Sequence, residues 1–263
     1  GVLLLSLAFT FFIFRSLRET RRQKEEVARQ KSLVEEQNAL IGFQKKQVEE
    51  KNKEMTDSIN YARRIQYALL SSEQYLDKHL EKEHFIFFRP KDIVSGDFYW
   101  SFRKGDRFYF AVCDSTGHGV PGAFMSLLNM AFLNEAISEK QLTEPGEIFT
   151  YVRKRLVRHL SRDGAQDGMD GTLLCLNKAD GTLSYAAAHN APVLVVAGGV
   201  HSGEMDKMPI GKGVLDAPFR TFSLKAEKGA ILYLFTDGYA DQFGGPKGKK
   251  FKHKQLLELL QQI

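Results

Sequence analysis

Three aspartates stand where apolar runs give way to glycine-rich turns. Asp97 lies in Ser95-Gly96-Asp97-Phe98-Tyr99-Trp100, Asp114 in Asp114-Ser115-Thr116-Gly117-His118-Gly119, and Asp237 in Thr236-Asp237-Gly238-Tyr239-Ala240-Asp241. Carboxylates and backbone carbonyls suit hard ions such as magnesium and manganese. Two such ions can share a water, make it nucleophilic near neutral pH and clamp a phosphoryl group. That chemistry needs no serine or cysteine nucleophile. Taken one at a time, Asp-Gly pairs are ordinary turns. Three carboxylates at apolar strand ends, each with glycine close by, point to a metal site at a sheet edge.

The elements that would carry them begin near residue 84. Phe85–Phe88, Phe98–Phe102, Phe108–Cys113, Thr172–Leu176, Leu183–Ala187, Val193–Ala197, Phe219–Leu224 and Ile231–Phe235 read as strands. Gly105-Asp106 and Asp180-Gly181 read as hairpin turns. Helical patterns occupy about 121–138 and 143–160, and another begins near Lys252. Hairpins, two helices and more hairpins do not build a parallel doubly wound sheet; they predict an α+β chain of stacked antiparallel sheets with helices outside.

Residues 1–14 carry no charge, and Arg15, Arg18, Arg21, Arg22 and Lys24 follow at once. Positive charge after an apolar stretch marks the cytoplasmic end of a stop-transfer segment, so 1–14 is expected to be the end of a transmembrane helix whose start is missing. From 15 to 83 the sequence is rich in Glu, Lys, Gln and Arg, with no proline and one glycine. Val27, Val34, Ile41, Val48, Met55, Ala62, Leu69 and Leu76 repeat every seven residues, which predicts a coiled-coil linker and a homodimer. The second column is polar (Gln30, Gln37, Gln44), so the seam is weak enough to shift, as suits a signalling linker.

The formal charge is +5 and the hydrophobic content 43%. Much of the positive charge lies in the first 55 residues, and basic and aromatic residues do not cluster on one expected element of 84–263, which argues against nucleic acid. Cys113 and Cys175 are too few and too isolated for a zinc site or a disulfide framework.

The three motifs, with Asp114 continuing through Val120-Pro121-Gly122-Ala123-Phe124-Met125-Ser126, resemble the SpoIIE-type phosphatases, the bacterial branch of the metal-dependent, type 2C-like (PPM) Ser/Thr protein phosphatases. The resemblance covers about 84–263. Asp57-Ser58-Ile59-Asn60-Tyr61-Ala62-Arg63-Arg64-Ile65-Gln66 also looks like the helix that enters this domain in membrane-bound members. The family implies an α/β/β/α sandwich with two Mn²⁺ or Mg²⁺ ions at one end. Carried onto this sequence, Asp114 would bridge both ions, the Ser115 carbonyl would bind one, Asp97 and Asp237 would be carboxylate ligands, and Asp241 would support them or hold a weaker third ion. A last aspartate normally lies on a strand beyond the final helix, so the domain is expected to continue past Ile263. Arg89 and Lys91 fit poorly as the upstream phosphate-holding cation. His118 as a general acid, Asp170 as a cleft or turn residue, and Asn190 near the site are weaker candidates.

The resemblance implies a membrane-bound phosphatase of the bacterial inner membrane, its domain in the cytoplasm. It would act on phosphoserine or phosphothreonine of a regulatory protein such as an anti-sigma-factor antagonist. A pseudophosphatase that binds a phosphoprotein without turnover is the alternative.

Overall fold

A computed structural model describes residues 1–81, 83–160, 167–197, 199–246 and 248–262. The chain divides into two compact units, Gly1–Ser58 and Ile59 onward. The first is helical throughout, within α1 (Val2–Leu69). With no proline and only Gly42 to weaken it, the run of Glu, Lys, Gln and Arg is intrinsically helix-forming. Pairs such as Arg21–Glu25 and Lys45–Glu49 add i,i+4 contacts, each contributing about 0.3–0.5 kcal/mol. Val27, Val34, Ile41, Val48 and Met55 are all exposed, leaving the heptad column free along this unit.

The second unit opens with the last turns of α1 and continues into α2 (Glu73–Leu80). The helix expected to run to residue 83 is broken at 70–72. Ser72 caps α2 by accepting a hydrogen bond from the Tyr75 N–H at 3.3 Å, a local competitor of helix continuation. Leu76, the last member of the heptad column, sits on α2 and is fully buried.

Two hairpins build the main sheet. β1 (Asp97–Lys104) pairs with β2 (Arg107–Ser115), and β2 with β3 (Gly168–Asn177). β3 pairs with β4 (Thr182–Ala188) and, near its start, with β7 (Ile210–Gly211); β4 pairs with β8 (Phe222–Leu224). A second sheet has the order β6 (Gly199–Ser202), β5 (Val193–Val196), β9 (Ile231–Tyr233). β10 (Phe243–Gly244) and β11 (Lys249–Lys250) form a small hairpin. All these pairings are antiparallel.

α3 (Gly119–Ser138) and α4 (Pro145–Leu160) cover one face of the main sheet, and α5 (His253–Leu260) packs on the second sheet. This is the expected α+β, α/β/β/α arrangement. Ile148, Phe149, Val152 and Leu156 recur at helical spacing on α4 and are fully buried. α3 is apolar enough and long enough to cross a membrane, but half of it is buried in this core. Cys113 and Cys175 are free and buried.

Phe85–Phe88 is not a strand. Phe85 and Phe87 stay exposed, and Phe88 packs instead between Tyr67 and Tyr99, with ring centroids at 6.0 and 5.6 Å. Side-chain packing, with no partner strand, uses the apolar run. β6, β7, β10 and β11 lack any apolar run of their own and exist through their partners.

Candidate active site

The register of the main sheet sets carboxylates in a row. Asp97 is the Cα partner of Asp114, and Asp114 is the partner of Asp170. Cross-strand partners share a face. That face is turned away from α3, because Ser115, the next residue, points the other way and accepts a hydrogen bond from Asn129 Nδ2 of α3 at 3.0 Å. The row continues to His189, just past β4, whose Nδ1 lies 3.0 Å from Asp170 Oδ1.

Three close backbone approaches fix the Asp97 end. A methyl group on Gly96 would fall 2.8 Å from the carbonyl oxygens of both Ser115 and Gly117, and one on Gly122 would fall 2.4 Å from the Gly117 oxygen. Side chains there are excluded by backbone, which is why the turn into α3 is built on glycine. The Ser115 N–H donates to the Gly96 carbonyl at 3.2 Å, tying the two aspartate-bearing segments together. Behind them, Gln66 on α1 is fully buried and hydrogen-bonded to Ser95 and Ser126.

The Asp237 loop closes on Asp97. A methyl on Gly238 would lie 3.6 Å from Asp97 Oδ2, and the Asp241 N–H donates to the Asp237 carbonyl at 2.8 Å, making one tight turn. Burial is the first cause that raises the carboxyl pKa of Asp97, Asp114, Asp170 and Asp237. The repulsion of Asp97 and then Asp237 adds to it at Asp114, pushing that group up to about 8. Asp97 and Asp114 face each other across the β1–β2 ladder, and without a counter-ion two half-buried carboxylates this close disfavour being charged together.

This donor set fits a hard cation. It is all oxygen, its charges are mutually repelling, and Asp97 Oδ1 is buried with no hydrogen-bond partner. Among the described residues, however, no three His, Cys, Asp or Glu side chains converge as a ready-made ion shell.

The structure thus brings Asp97, Asp114 and Asp237 together, with Ser115 beside them and Asp241 in the turn. It adds His189, and it sets Asp170, offered by the sequence only as a cleft or turn residue, in the same row. Asp170 precedes an apolar strand inside a Gly-x-Asp-Gly stretch, as Asp97 follows a glycine before one; only the pairing register reveals that it faces Asp114. His118 stands in solvent, 97% exposed and 3.9 Å from Asp92. Arg89 and Lys91 are exposed and make no ion pair among the described residues. Asn190 acts through its backbone, its carbonyl accepting from Thr172 Oγ1.

A family model described as stage II sporulation protein E (SpoIIE) matches residues 104–263. Among solved structures, the chain is similar to the SiaA PP2C domain of Pseudomonas aeruginosa, with 31% identity over 80% of this chain and 82% of that one and a TM-score of 0.71. It shares its fold with the RsbU and RsbW domains of a Mycobacterium tuberculosis protein, at 24% identity over 63% of this chain and 45% of that one (TM-score 0.51). It likewise shares its fold with the PP2C phosphatase domain and regulatory-domain fragment of SpoIIE from Bacillus subtilis, at 20% identity over 65% and 48% (TM-score 0.51). No match is found among curated proteins.

Proposed function

The chain belongs to the SpoIIE family of PPM-type protein phosphatases, and from that premise we propose that it hydrolyses phosphoserine or phosphothreonine on a regulatory protein at the Asp97–Asp114–Asp237 end of its main sheet. The observation that carries this is the cross-strand pair Asp97–Asp114 under the Asp237 loop, with one Asp97 oxygen buried and unpartnered. A buried carboxylate oxygen without a partner costs free energy unless a donor or cation meets it.

Asp97, Asp114 and Asp237, with the Ser115 carbonyl, are the residues that would hold Mn²⁺ or Mg²⁺; Asp170 and Asp241 flank them. Bound there, the metal supplies an acidified water and charge neutralisation for the phosphoryl oxygens. The chain's own contribution is rigidity and polarity. The β1–β2 register fixes the spacing of Asp97 and Asp114. The glycines at 96, 117 and 122 let the turn approach. His189 holds Asp170 in one orientation.

The test is manganese-dependent phosphate release from a phosphoprotein and from an aryl phosphate. Asp114→Asn is expected to lower kcat by a hundredfold or more. Unchanged release would place the reaction elsewhere, and manganese-independent binding of the phosphoprotein without any turnover would favour a pseudophosphatase.

The apolar start of α1, exposed at Leu5, Phe9, Phe12 and Phe14 and followed by arginines, supports a membrane tether with the domain in the cytoplasm. The exposed heptad column supports a parallel homodimer that carries a signal from a sensor to the phosphatase. An anti-sigma-factor antagonist is the substrate class that the family resemblance favours. Sedimentation of residues 15–263 tests the dimer: Val34→Ser with Ile41→Ser should lower the mass to that of one chain, and a monomer in both forms removes the coiled-coil reading.

A further inference from the structure

The β10–β11 hairpin and the turn behind it carry the opposite charge to the site beside them. From Gln242 to Lys254 the sequence has five lysines, Lys247, Lys249, Lys250, Lys252 and Lys254, and no aspartate or glutamate. Lys249, Lys250 and Lys252 line a cleft of about 550 Å³ whose other walls include Tyr239 and Phe243. The cleft therefore begins two residues beyond Asp237.

The hairpin is tied to the carboxylate loop. Lys250 Nζ is ion-paired with Asp241 at 2.5 Å. The Lys252 N–H donates to the Ala240 carbonyl at 2.6 Å, and the Phe251 N–H to the Gln242 carbonyl at 2.8 Å. Lys252 is held at φ 74°, ψ 149°, a region that side chains other than glycine occupy at a cost of about 1–3 kcal/mol. Its position is thus set by the surrounding bonds. Lys250 has its counter-ion; Lys249 and Lys252 are exposed, and neither has an ion-pair partner among the described residues. Phe243, the cross-strand partner of Lys250, is 75% exposed.

We propose that this cleft is the recognition surface for an acidic segment of the protein substrate adjoining its phosphorylated residue. The proposal rests on the phosphatase reading of the Asp97–Asp114 site. A phosphoresidue seated at the carboxylate row brings its neighbouring residues past Tyr239. Glutamate or aspartate side chains there meet Lys249 and Lys252, while Tyr239 and Phe243 take the apolar parts of the segment. Five clustered carboxylates would repel an approaching phosphopeptide, and a cationic cleft alongside them offsets that repulsion and steers its approach.

The test has two arms, both with the full chain. In the first, binding of a fluorescein-labelled, non-phosphorylated Glu-rich peptide is measured by anisotropy in low and high salt. Lys249→Glu with Lys252→Glu should weaken binding tenfold or more, whereas Asp114→Asn should bind at least as tightly as the parent. In the second, phosphate release is compared for two phosphoserine peptides with acidic and with neutral flanks. The parent should prefer the acidic peptide in kcat/KM by tenfold or more, chiefly through KM, and the lysine variant should bring that ratio close to one. Equal binding by parent and lysine variant, or no acidic preference, overturns the proposal. So does tighter binding of a charge-matched single-stranded oligonucleotide than of the peptide. If the parent binds the acidic peptide as expected but releases no phosphate from either peptide, it is the phosphatase reading that fails. Circular dichroism of the lysine variant separates lost recognition from lost folding, and Lys249→Gln with Lys252→Gln should give an intermediate loss.

Discussion

Gln66 grips the peptide of Ser95 from both sides. Its Oε1 accepts from the Ser95 N–H at 3.1 Å, and its Nε2 donates to the Ser95 carbonyl at 2.6 Å and to Ser126 Oγ at 2.7 Å. Ser95 precedes Gly96 and Asp97, and Ser126 lies on α3. One fully buried side chain on α1 therefore joins that helix, the segment leading into the site and the main core helix.

Replacing it tests that joint. Gln66→Leu keeps the volume but leaves the Ser95 N–H and carbonyl without their partner, while the Ser126 hydroxyl still donates to the Ala123 carbonyl. Each buried group left unpaired costs about 1–3 kcal/mol, so the thermal midpoint should fall by several degrees. If the joint also sets the Asp97 carboxylate, the manganese concentration for half-maximal phosphate release should rise several-fold in protein that is still folded. A lower midpoint with unaltered manganese dependence would make Gln66 a stability residue only.

Two glycine substitutions should behave oppositely. At Gly122 an added methyl meets the Gly117 carbonyl oxygen at 2.4 Å. That neighbour is backbone and cannot swing aside, so Gly122→Ala forces the turn beneath Asp114 to move; overpacking of this kind costs about 1–3 kcal/mol, and phosphate release should fall with it. At Gly105 the φ is +58° but nothing lies within 4 Å. It sits in the β1–β2 turn, at the end of both strands away from Asp97 and Asp114. Gly105→Ala should cost only about 1–2 kcal/mol of left-handed backbone strain and leave phosphate release intact. Equal losses of activity in the two variants would contradict the packing role given to Gly122.

How far sequence sufficed follows from what each feature depends on. Asp97, Asp114 and Asp237 were legible because each stands at one end of an apolar run with a glycine within three residues, which is a local property. Asp170 was legible only as a cleft-or-turn candidate, because it faces Asp114 through the register of β2 with β3, and register belongs to the pair of strands. The break between α1 and α2 had a local signal in Ser71-Ser72, masked by the heptad column that Leu76 continues. Phe85–Phe88 has the composition of a strand, yet pairing requires a free edge, and the Phe88 ring found Tyr67 and Tyr99 instead. The α/β/β/α order was legible only at the level of alternating hairpins and helices, and by resemblance.

The charge at Asp114 yields a prediction in which pH and metal oppose each other. Burial, then Asp97 and Asp237, raise its folded pKa to about 8, above the ordinary aspartate value of 3.8. Between these values the folded state holds a proton that the unfolded chain has released. Stability then falls as pH rises, because the folded state binds more protons than the unfolded one. The stabilising difference is fully present below about pH 4 and lost as pH climbs toward 8. A cation bound among Asp97, Asp114 and Asp237 replaces that proton and removes that loss. In chelator, the thermal midpoint should therefore decline from pH 5 to pH 8 more steeply for the parent than for Asp114→Asn, which carries no titrating group at that position. With millimolar manganese the parent should gain most at pH 8 and little at pH 5, and the variant should gain little at either. The comparison between parent and variant removes the contribution of other titrating groups, such as His79, whose pKa is lowered by burial and then by Arg103 and so shifts stability the other way. A parallel pH course in parent and variant, with the same gain from manganese, would mean that Asp114 neither holds that proton nor binds the metal.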